Sequence, residues 1–343
     1  MKAARYSGHG GPEVIRYEDV PEPTIAPADV IVKVAACAIN RLDLIQRIGH
    51  FTLPGYRLPH IAGMDVAGEI VEIGRQVEGV SVGDRVVINP SLTAVRGDSR
   101  FAGLDDRYGE LGVIGATVDG GYAELCAAPA SHVQPIPEGF TYEEVACIPT
   151  CYVTAWHALS ETGRLAAGET VLIHAAGGGV SSAAIQLARK FGATVLATAR
   201  TEAKLEHARR LGAHHVLCHH GADVARWAHE VTDGRGVDMV FDHIGPALWH
   251  ASLAALRPRG RLITCGATTG PEVTLELGRV HQMGLRIIGS DSYSYQEFER
   301  VLNLYWQGGF QQTIDSVFPL AEAGNAQRRM DSLDFTGKIL LKP

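Results

Sequence analysis

The chain has 343 residues, 46% hydrophobic and 20% charged, so it can bury a sizeable core and, at roughly 150 residues per domain, points to two domains. Lys plus Arg (31) against Asp plus Glu (38) leaves a formal net charge of −7, which excludes the broad cationic field that nucleic acid or anionic lipid attracts. The opening MKAARYSGHG carries no apolar targeting segment, no run reaches the ~18 apolar residues of a membrane-spanning helix, and the six cysteines are scattered without a CxxC pair, so a soluble cytoplasmic protein with reduced thiols is expected.

Through about residue 130 the sequence reads as short strands of alternating polarity, punctuated by Gly, Pro and Asp. Val30-Ile31-Val32-Lys33-Val34, Gly68-Glu69-Ile70-Val71-Glu72-Ile73 and Gly83-Asp84-Arg85-Val86-Val87-Ile88 are examples, and together they predict a compact, partly open β-barrel. Residues 89–120 interrupt it as a long polar insertion. From Cys147 the texture changes, because apolar β runs alternate with helical segments of mixed charge, the pattern of a parallel sheet covered on both faces. Thr170-Val171-Leu172-Ile173, Thr194-Val195-Leu196-Ala197, Val237-Asp238-Met239-Val240-Phe241 and Arg261-Leu262-Ile263-Thr264 are the predicted strands. Between them, residues 183–192 and 203–212 predict helices, each apolar on one face, basic late and stopped at glycine. The fold class is α/β.

Ile173-His174-Ala175-Ala176-Gly177-Gly178-Gly179-Val180-Ser181-Ser182-Ala183 reads as a strand, a small-residue turn and a helix start. Glycines there let backbone N–H groups approach a pyrophosphate, and the positive end of the following helix favours that anion. Aligned on GxGxxG the segment offers Ala176, Gly178 and Ser181, so the fingerprint is imperfect; the buried strand before it and the strand ending about twenty residues later support a dinucleotide site. An NAD site places a carboxylate at the end of that second strand, and here Ala199 stands there, followed by Arg200 and Lys204 as candidate partners for a 2′-phosphate. NADPH is therefore favoured over NADH. The alternative is that both cations are solvated helix-start charges, and Glu202 keeps it open.

The whole chain resembles the medium-chain dehydrogenase/reductase superfamily, in its zinc-lacking quinone oxidoreductase-like branch. The resemblance rests on Ala35-Ala36-Cys37-Ala38-Ile39-Asn40-Arg41-Leu42-Asp43, Gly63-Met64-Asp65-Val66-Ala67-Gly68 and Val80-Ser81-Val82-Gly83-Asp84-Arg85-Val86. It continues in Gly120-Gly121-Tyr122-Ala123-Glu124, Thr154-Ala155-Trp156, residues 175–181, Gly260-Arg261-Leu262-Ile263 and the closing Gly337-Lys338-Ile339-Leu340. It implies a GroES-like β-barrel domain built from residues 1–150 and 291–343, a doubly wound Rossmann NADP-binding domain over residues 151–290, a substrate cleft where they meet, and a homodimer.

Zinc-dependent relatives hold a catalytic metal with Cys, His and Cys, and the matching positions here are Asn40, Met64 and Thr150, with Cys151 one residue off. An amide, a thioether and a hydroxyl are poor zinc donors, so no catalytic zinc is expected. The insertion is similar to a lobe that carries four cysteines for structural zinc in relatives; it contains none, and a zinc-free loop that packs or helps subunits associate is expected. Leu42 and Ile45 stand at the relay positions of the alcohol dehydrogenases, so alcohol oxidation is disfavoured.

What the resemblance then implies is hydride transfer from NADPH to a small molecule that is already electron-poor, a quinone or an α,β-unsaturated carbonyl compound, with the enzyme supplying orientation and hydrogen-bond donors. Asn40 is a candidate donor to the carbonyl oxygen, or satisfies nearby backbone. Asp43 and Asp65 match positions near the cleft, where structural hydrogen bonding is the expected role. Phe51 stands where relatives often carry an aromatic hydroxyl, which leaves Tyr56, His50 and His60 as substitute proton donors beside water. Around the cofactor the resemblance places Thr154 by the nicotinamide, Gly178, Gly179 and Val180 at the pyrophosphate, and Arg200, Lys204 and His219 about the adenosine phosphate. Cys265, Gly266, Ala267 and Ser290 line the nicotinamide ribose, and Lys338 closes from the last segment. The rival readings are a metal-free alcohol or ketone dehydrogenase and a non-catalytic dinucleotide-binding protein on the same fold.

Overall fold

A computed structural model describes residues 1–92 and 111–343, so the middle of the polar insertion lies outside the described residues. The chain forms two compact units, Met1–Thr150 with Ser294–Pro343, and Cys151–Tyr293. The second boundary falls three residues beyond position 290 because Ser294 caps the helix Tyr295–Trp306, whose first residue bonds Gln134 of the first unit at 2.9 Å.

Among the described residues, the first unit is built on a seven-stranded sheet that runs Ile314–Pro319, Lys338–Lys342, Asp29–Ala38, Asp65–Ile73, Arg85–Ile88, Val133–Pro135, with Leu125–Pro129 also paired to Asp29–Ala38. A smaller sheet joins Arg16–Asp19, Lys2–Tyr6 and His60–Ile61. The run of β-branched residues in Asp29–Ala38 suits a strand with neighbours on both edges, and Val30, Val32, Ile39, Ile70, Ile88, Ile339 and Leu341 meet in one core. Each such side chain contributes about 1.5–3 kcal/mol on burial. The closing strand pairs antiparallel with Asp29–Ala38, Leu340 opposite Ala38, and that register carries Lys338 to the level of Asn40.

In the second unit six parallel strands lie in the order His215–Cys218, Thr194–Ala199, Thr170–Ile173, Val237–Asp242, Leu256–Thr264, Arg286–Gly289. Numbered along the chain this is 3-2-1-4-5-6, the doubly wound dinucleotide-binding order. Leu172, Leu196, Val240, Leu253 and Leu262 form its buried centre. Two helices differ in their bounds from the sequence reading. The helix predicted from residue 183 starts at Gly179 and ends at Lys190, and the one predicted over 203–212 is Glu202–Arg210. Small residues 179–182 are poor helix formers, yet they suffice for a first turn whose amides have no helical partner. Gly192 and Gly212 lie beyond the helix ends at φ 79° and 104°, which only glycine adopts without strain. Among the described residues no helix is long and apolar enough to cross a membrane.

Candidate functional site

The strand order reverses between Thr170–Ile173 and Val237–Asp242, and ligands of doubly wound sheets bind beyond the carboxyl ends of the strands at such a reversal. There the chain leaves Ile173 through a turn in which Ala175 takes φ 52° and Gly178 N–H donates to Ala175 O at 2.9 Å. Gly178 offers no capping side chain to the helix Gly179–Lys190, so the N-terminal amides there, including those of Gly179 and Val180, stay available to an anion.

Beneath the turn, His174 is fully buried and both ring nitrogens are engaged, Nδ1 with Thr198 Oγ1 at 2.8 Å and Nε2 with Ser252 Oγ at 3.0 Å. Ser252 donates to Asp242 Oδ2 at 2.8 Å, so its oxygen accepts from His174 Nε2–H, and Nδ1 then accepts from Thr198. Burial pushes the His174 ring down to about 4, which keeps it neutral. Ser181 donates to His174 O at 2.7 Å and accepts from His243 Nε2 at 2.7 Å. This polar bed beneath the turn gave no sign in the sequence pattern.

At the end of Thr194–Ala199, Ala199 is buried and its carbonyl accepts from His219 N–H at 3.0 Å. Arg200 is exposed, and the stem of Lys204 lies against Gly177, where a Cβ would come within 2.7 Å of the lysine Cδ. Glu202 turns along its own helix and accepts from Arg209 Nη1 at 2.6 Å. Cys265 and Ser290 follow the ends of neighbouring strands; burial pushes the Cys265 thiol up to about 12. Gly266 and Ala267 are exposed, and Thr154 is half-buried on the helix Pro149–Trp156. Ser290 Oγ and His219 Nδ1 are buried without a partner among the described residues, as expected of atoms reserved for a polar ligand. With the open amides of the glycine turn, these residues fit a nicotinamide dinucleotide.

A second cluster lies in the first unit, around the buried ammonium of Lys338. Its Nζ donates to Ile39 O at 2.9 Å, Asn40 Oδ1 at 2.7 Å and Asp65 Oδ2 at 3.2 Å. Asp65 Oδ1 accepts from Thr150 N at 2.9 Å and Thr150 Oγ1 at 2.5 Å, and Asn40 Nδ2 reaches Thr150 Oγ1 at 3.4 Å. The Asn40 side chain is thus tied to residues far away in the sequence. Asp43 is also buried: its Oδ2 accepts from Asn40 N at 2.8 Å and Tyr122 OH at 3.1 Å, Oδ1 has no partner among the described residues, and burial pushes the carboxyl up to about 7. The partnership with Tyr122 was missed in the sequence, although Gly120-Gly121-Tyr122 stood out as a motif.

Asn40, Met64 and Thr150 do not fit zinc. Met64 is buried, while the Asn40 oxygen and the Thr150 hydroxyl are already bound to an ammonium and a carboxylate. Tyr56 is half-buried among His9 and His60 at ring distances of 5.8 and 5.0 Å. His60 Nε2 bonds Gly115 O at 3.0 Å and burial pushes its ring pKa down, whereas His50 is exposed.

The sheet order and its glycine turn define a dinucleotide-binding oxidoreductase fold joined to a β-rich unit. Comparison with known proteins agrees. Residues 26–138 match the alcohol dehydrogenase GroES-like domain, and residues 179–307 match a family described as zinc-binding dehydrogenase. A quinone oxidoreductase of Pseudomonas aeruginosa is 30% identical over 351 residues, covering 100% of this chain and 99% of its own. Among solved structures, an NAD-dependent alcohol dehydrogenase superposes with a TM-score of 0.92 at 35% identity, covering 100% of both chains. A mycobacterial protein complexed with NADPH superposes with a TM-score of 0.84 at 28% identity, also over 100% of both. The chain belongs to the medium-chain dehydrogenase/reductase superfamily and is quinone oxidoreductase-like. It is an oxidoreductase of that type, and the family binds a nicotinamide cofactor.

Proposed function

We propose that this chain is an NADPH-dependent, zinc-independent reductase of quinones or of α,β-unsaturated carbonyl compounds. The observation that carries the reading is the Asn40 carboxamide bound to Lys338, at the position where zinc-dependent relatives place a cysteine ligand. An amide N–H stabilises developing negative charge on an oxygen far less than a metal does, which suits acceptors that are already electron-poor. Asn40 Nδ2 holds the substrate carbonyl and stabilises the enolate or quinol oxygen as it forms. When bound, the reduced nicotinamide supplies the hydride, and water supplies the proton.

Ala199, Arg200 and Lys204 support the phosphorylated nucleotide, because no carboxylate ends the second strand and Glu202 is engaged by Arg209. Gly178, Gly179 and Val180 hold the pyrophosphate; Thr154, Cys265, Gly266, Ala267 and Ser290 hold the nicotinamide side, and His219 the adenosine side. The relationship to a quinone oxidoreductase at 30% identity supports the substrate class.

The alcohol dehydrogenase likeness at 35% identity favours a second reading, oxidation of an alcohol with NAD⁺. Nucleotide absorbance, followed with metal-free and with zinc-loaded protein, for NADPH or NADH against a panel of quinones and enones and for NAD⁺ or NADP⁺ against a panel of alcohols, decides between them. NADPH oxidation in that panel is the expected result; zinc-dependent alcohol oxidation without it overturns the proposal. A cytoplasmic homodimer is part of the same reading, and light scattering of the purified protein tests the dimer.

A further inference from the structure

We propose that Lys338 is a positioning residue: its ammonium fixes the carboxamide of Asn40 so that Oδ1 faces inward and Nδ2 is the group presented as a donor. The inference rests on the reading of Asn40 given above and adds the residue that makes it work. A carboxamide can turn over and exchange its acceptor for its donor with almost no change of shape. An ammonium has donors and no acceptor, so with Nζ 2.7 Å away the Asn40 oxygen is the only atom that can face it.

The same orientation is required from the other side. Thr150 donates its hydroxyl proton to Asp65 Oδ1 at 2.5 Å, so its oxygen can only accept, and it meets Asn40 Nδ2 at 3.4 Å. Lys338 is itself held in place, since its Nζ is shared among Ile39 O, Asn40 Oδ1 and Asp65 Oδ2. Its side chain is 5% exposed and that of Asp65 is 0% exposed, so the pair is secluded from water and the charge acts at short range on the amide. Drawing electron density toward Oδ1 strengthens the Nδ2 hydrogens as donors. Strand register delivers the lysine, because Leu340 opposite Ala38 leaves Lys338 level with Asn40 although 298 residues separate them.

Lys338→Met keeps the stem and removes the charge. Its kcat for the best quinone or enone is expected to fall about 10- to 100-fold, the scale of a misplaced catalytic contact, while NADPH affinity stays within about 2-fold. Asn40→Ala/Lys338→Met is expected to be no slower than Asn40→Ala alone, a non-additivity that a merely structural lysine would not produce. Because Lys338→Met strands the Asp65 charge, Asp65→Asn/Lys338→Met is measured beside it, with the same loss of kcat expected. Selective ¹⁵N labelling gives a readout independent of turnover: the Asn40 side-chain N–H signals are expected to shift and exchange faster with water in both lysine variants. Folded variants with wild-type kcat and unshifted Asn40 signals overturn the proposal, as does a loss confined to NADPH binding. If the wild-type protein reduces no quinone or enone, the reduction reading fails, and the ¹⁵N signals alone decide the role of Lys338.

Discussion

The stem of Lys204 lies across Gly177, so close that a Cβ on the glycine would stand 2.7 Å from the lysine Cδ. A residue from the helix after the second strand is thereby laid over the glycine turn after the first, and a methyl group at position 177 has to move it. Gly177→Ala is expected to lower NADPH affinity about 10-fold, the scale of one charge-assisted hydrogen bond, with NADH affinity and thermal stability nearly unchanged. Arg200→Glu is expected to reduce the preference for NADPH over NADH by about 1.5–3 kcal/mol. Titration of both variants with both nucleotides checks this, and an unaltered ratio in each would place the phosphate elsewhere.

Acid is expected to loosen the unit Cys151–Tyr293. Burial pushes His174 and His207 down to about 4 from an ordinary 6.5, and His214, His219 and His243 shift the same way. Above pH 6.5 these rings are neutral whether the chain is folded or not, so their stabilising effect is complete there. As pH falls from 6.5 toward 4, the unfolded chain binds protons that the folded one refuses, and stability declines. Between pH 7 and 5 the loss is about 2 kcal/mol for each of His174 and His207. Denaturant titrations at the two pH values, followed by hydrogen exchange of peptides from this unit, measure it; equal midpoints would refute it.

Asp43 acts in the opposite direction in the other unit. Its carboxyl is raised from 3.8 to about 7, so its contribution is complete below pH 3.8 and is lost as pH rises through 7. A carboxamide oxygen at this position could still accept from Asn40 N–H and the Tyr122 hydroxyl, without the charge. Asp43→Asn is therefore expected to gain stability relative to wild type between pH 5 and pH 8, by up to about 3 kcal/mol. Unfolding midpoints of the two proteins at both pH values check it; a constant difference would show that Asp43 does not titrate in this range.

The doubly wound sheet was legible because buried parallel strands leave long apolar runs: Thr170–Ile173 was read to its ends, and Val237–Asp242 to within one residue. The glycine turn was legible for a similar reason, since close backbone approach demands a composition that stands out. The start of the helix Gly179–Lys190 was not, because the cost of residues 179–182 as helix formers is local and the sheet outweighs it. The resemblance implies a cofactor contact for Lys338, and the structure places its ammonium on Asn40 and Asp65. Only strand register shows that, and register between strands about 300 residues apart leaves no trace in local sequence.

Gly63 puts the packing around Asp43 to a test of its own. It sits at φ 103°, and a Cβ there would lie 2.5 Å from Cδ1 of Tyr122 and 2.7 Å from Sγ of Cys37, both buried. Gly63→Ala thus combines backbone strain with displacement of the ring whose hydroxyl bonds Asp43 at 3.1 Å, and is expected to cost about 2–4 kcal/mol. Gly79 isolates the first part, because it takes φ 81° with nothing among the described residues within 4 Å of a Cβ; Gly79→Ala is expected to cost about 1 kcal/mol. Thermal unfolding of the two variants side by side is the measurement, with a drop of roughly 5–10 °C for Gly63→Ala and a much smaller one for Gly79→Ala. Equal drops would mean that strain alone sets the cost and that the Tyr122 ring yields freely, in which case its bond to Asp43 holds nothing in place.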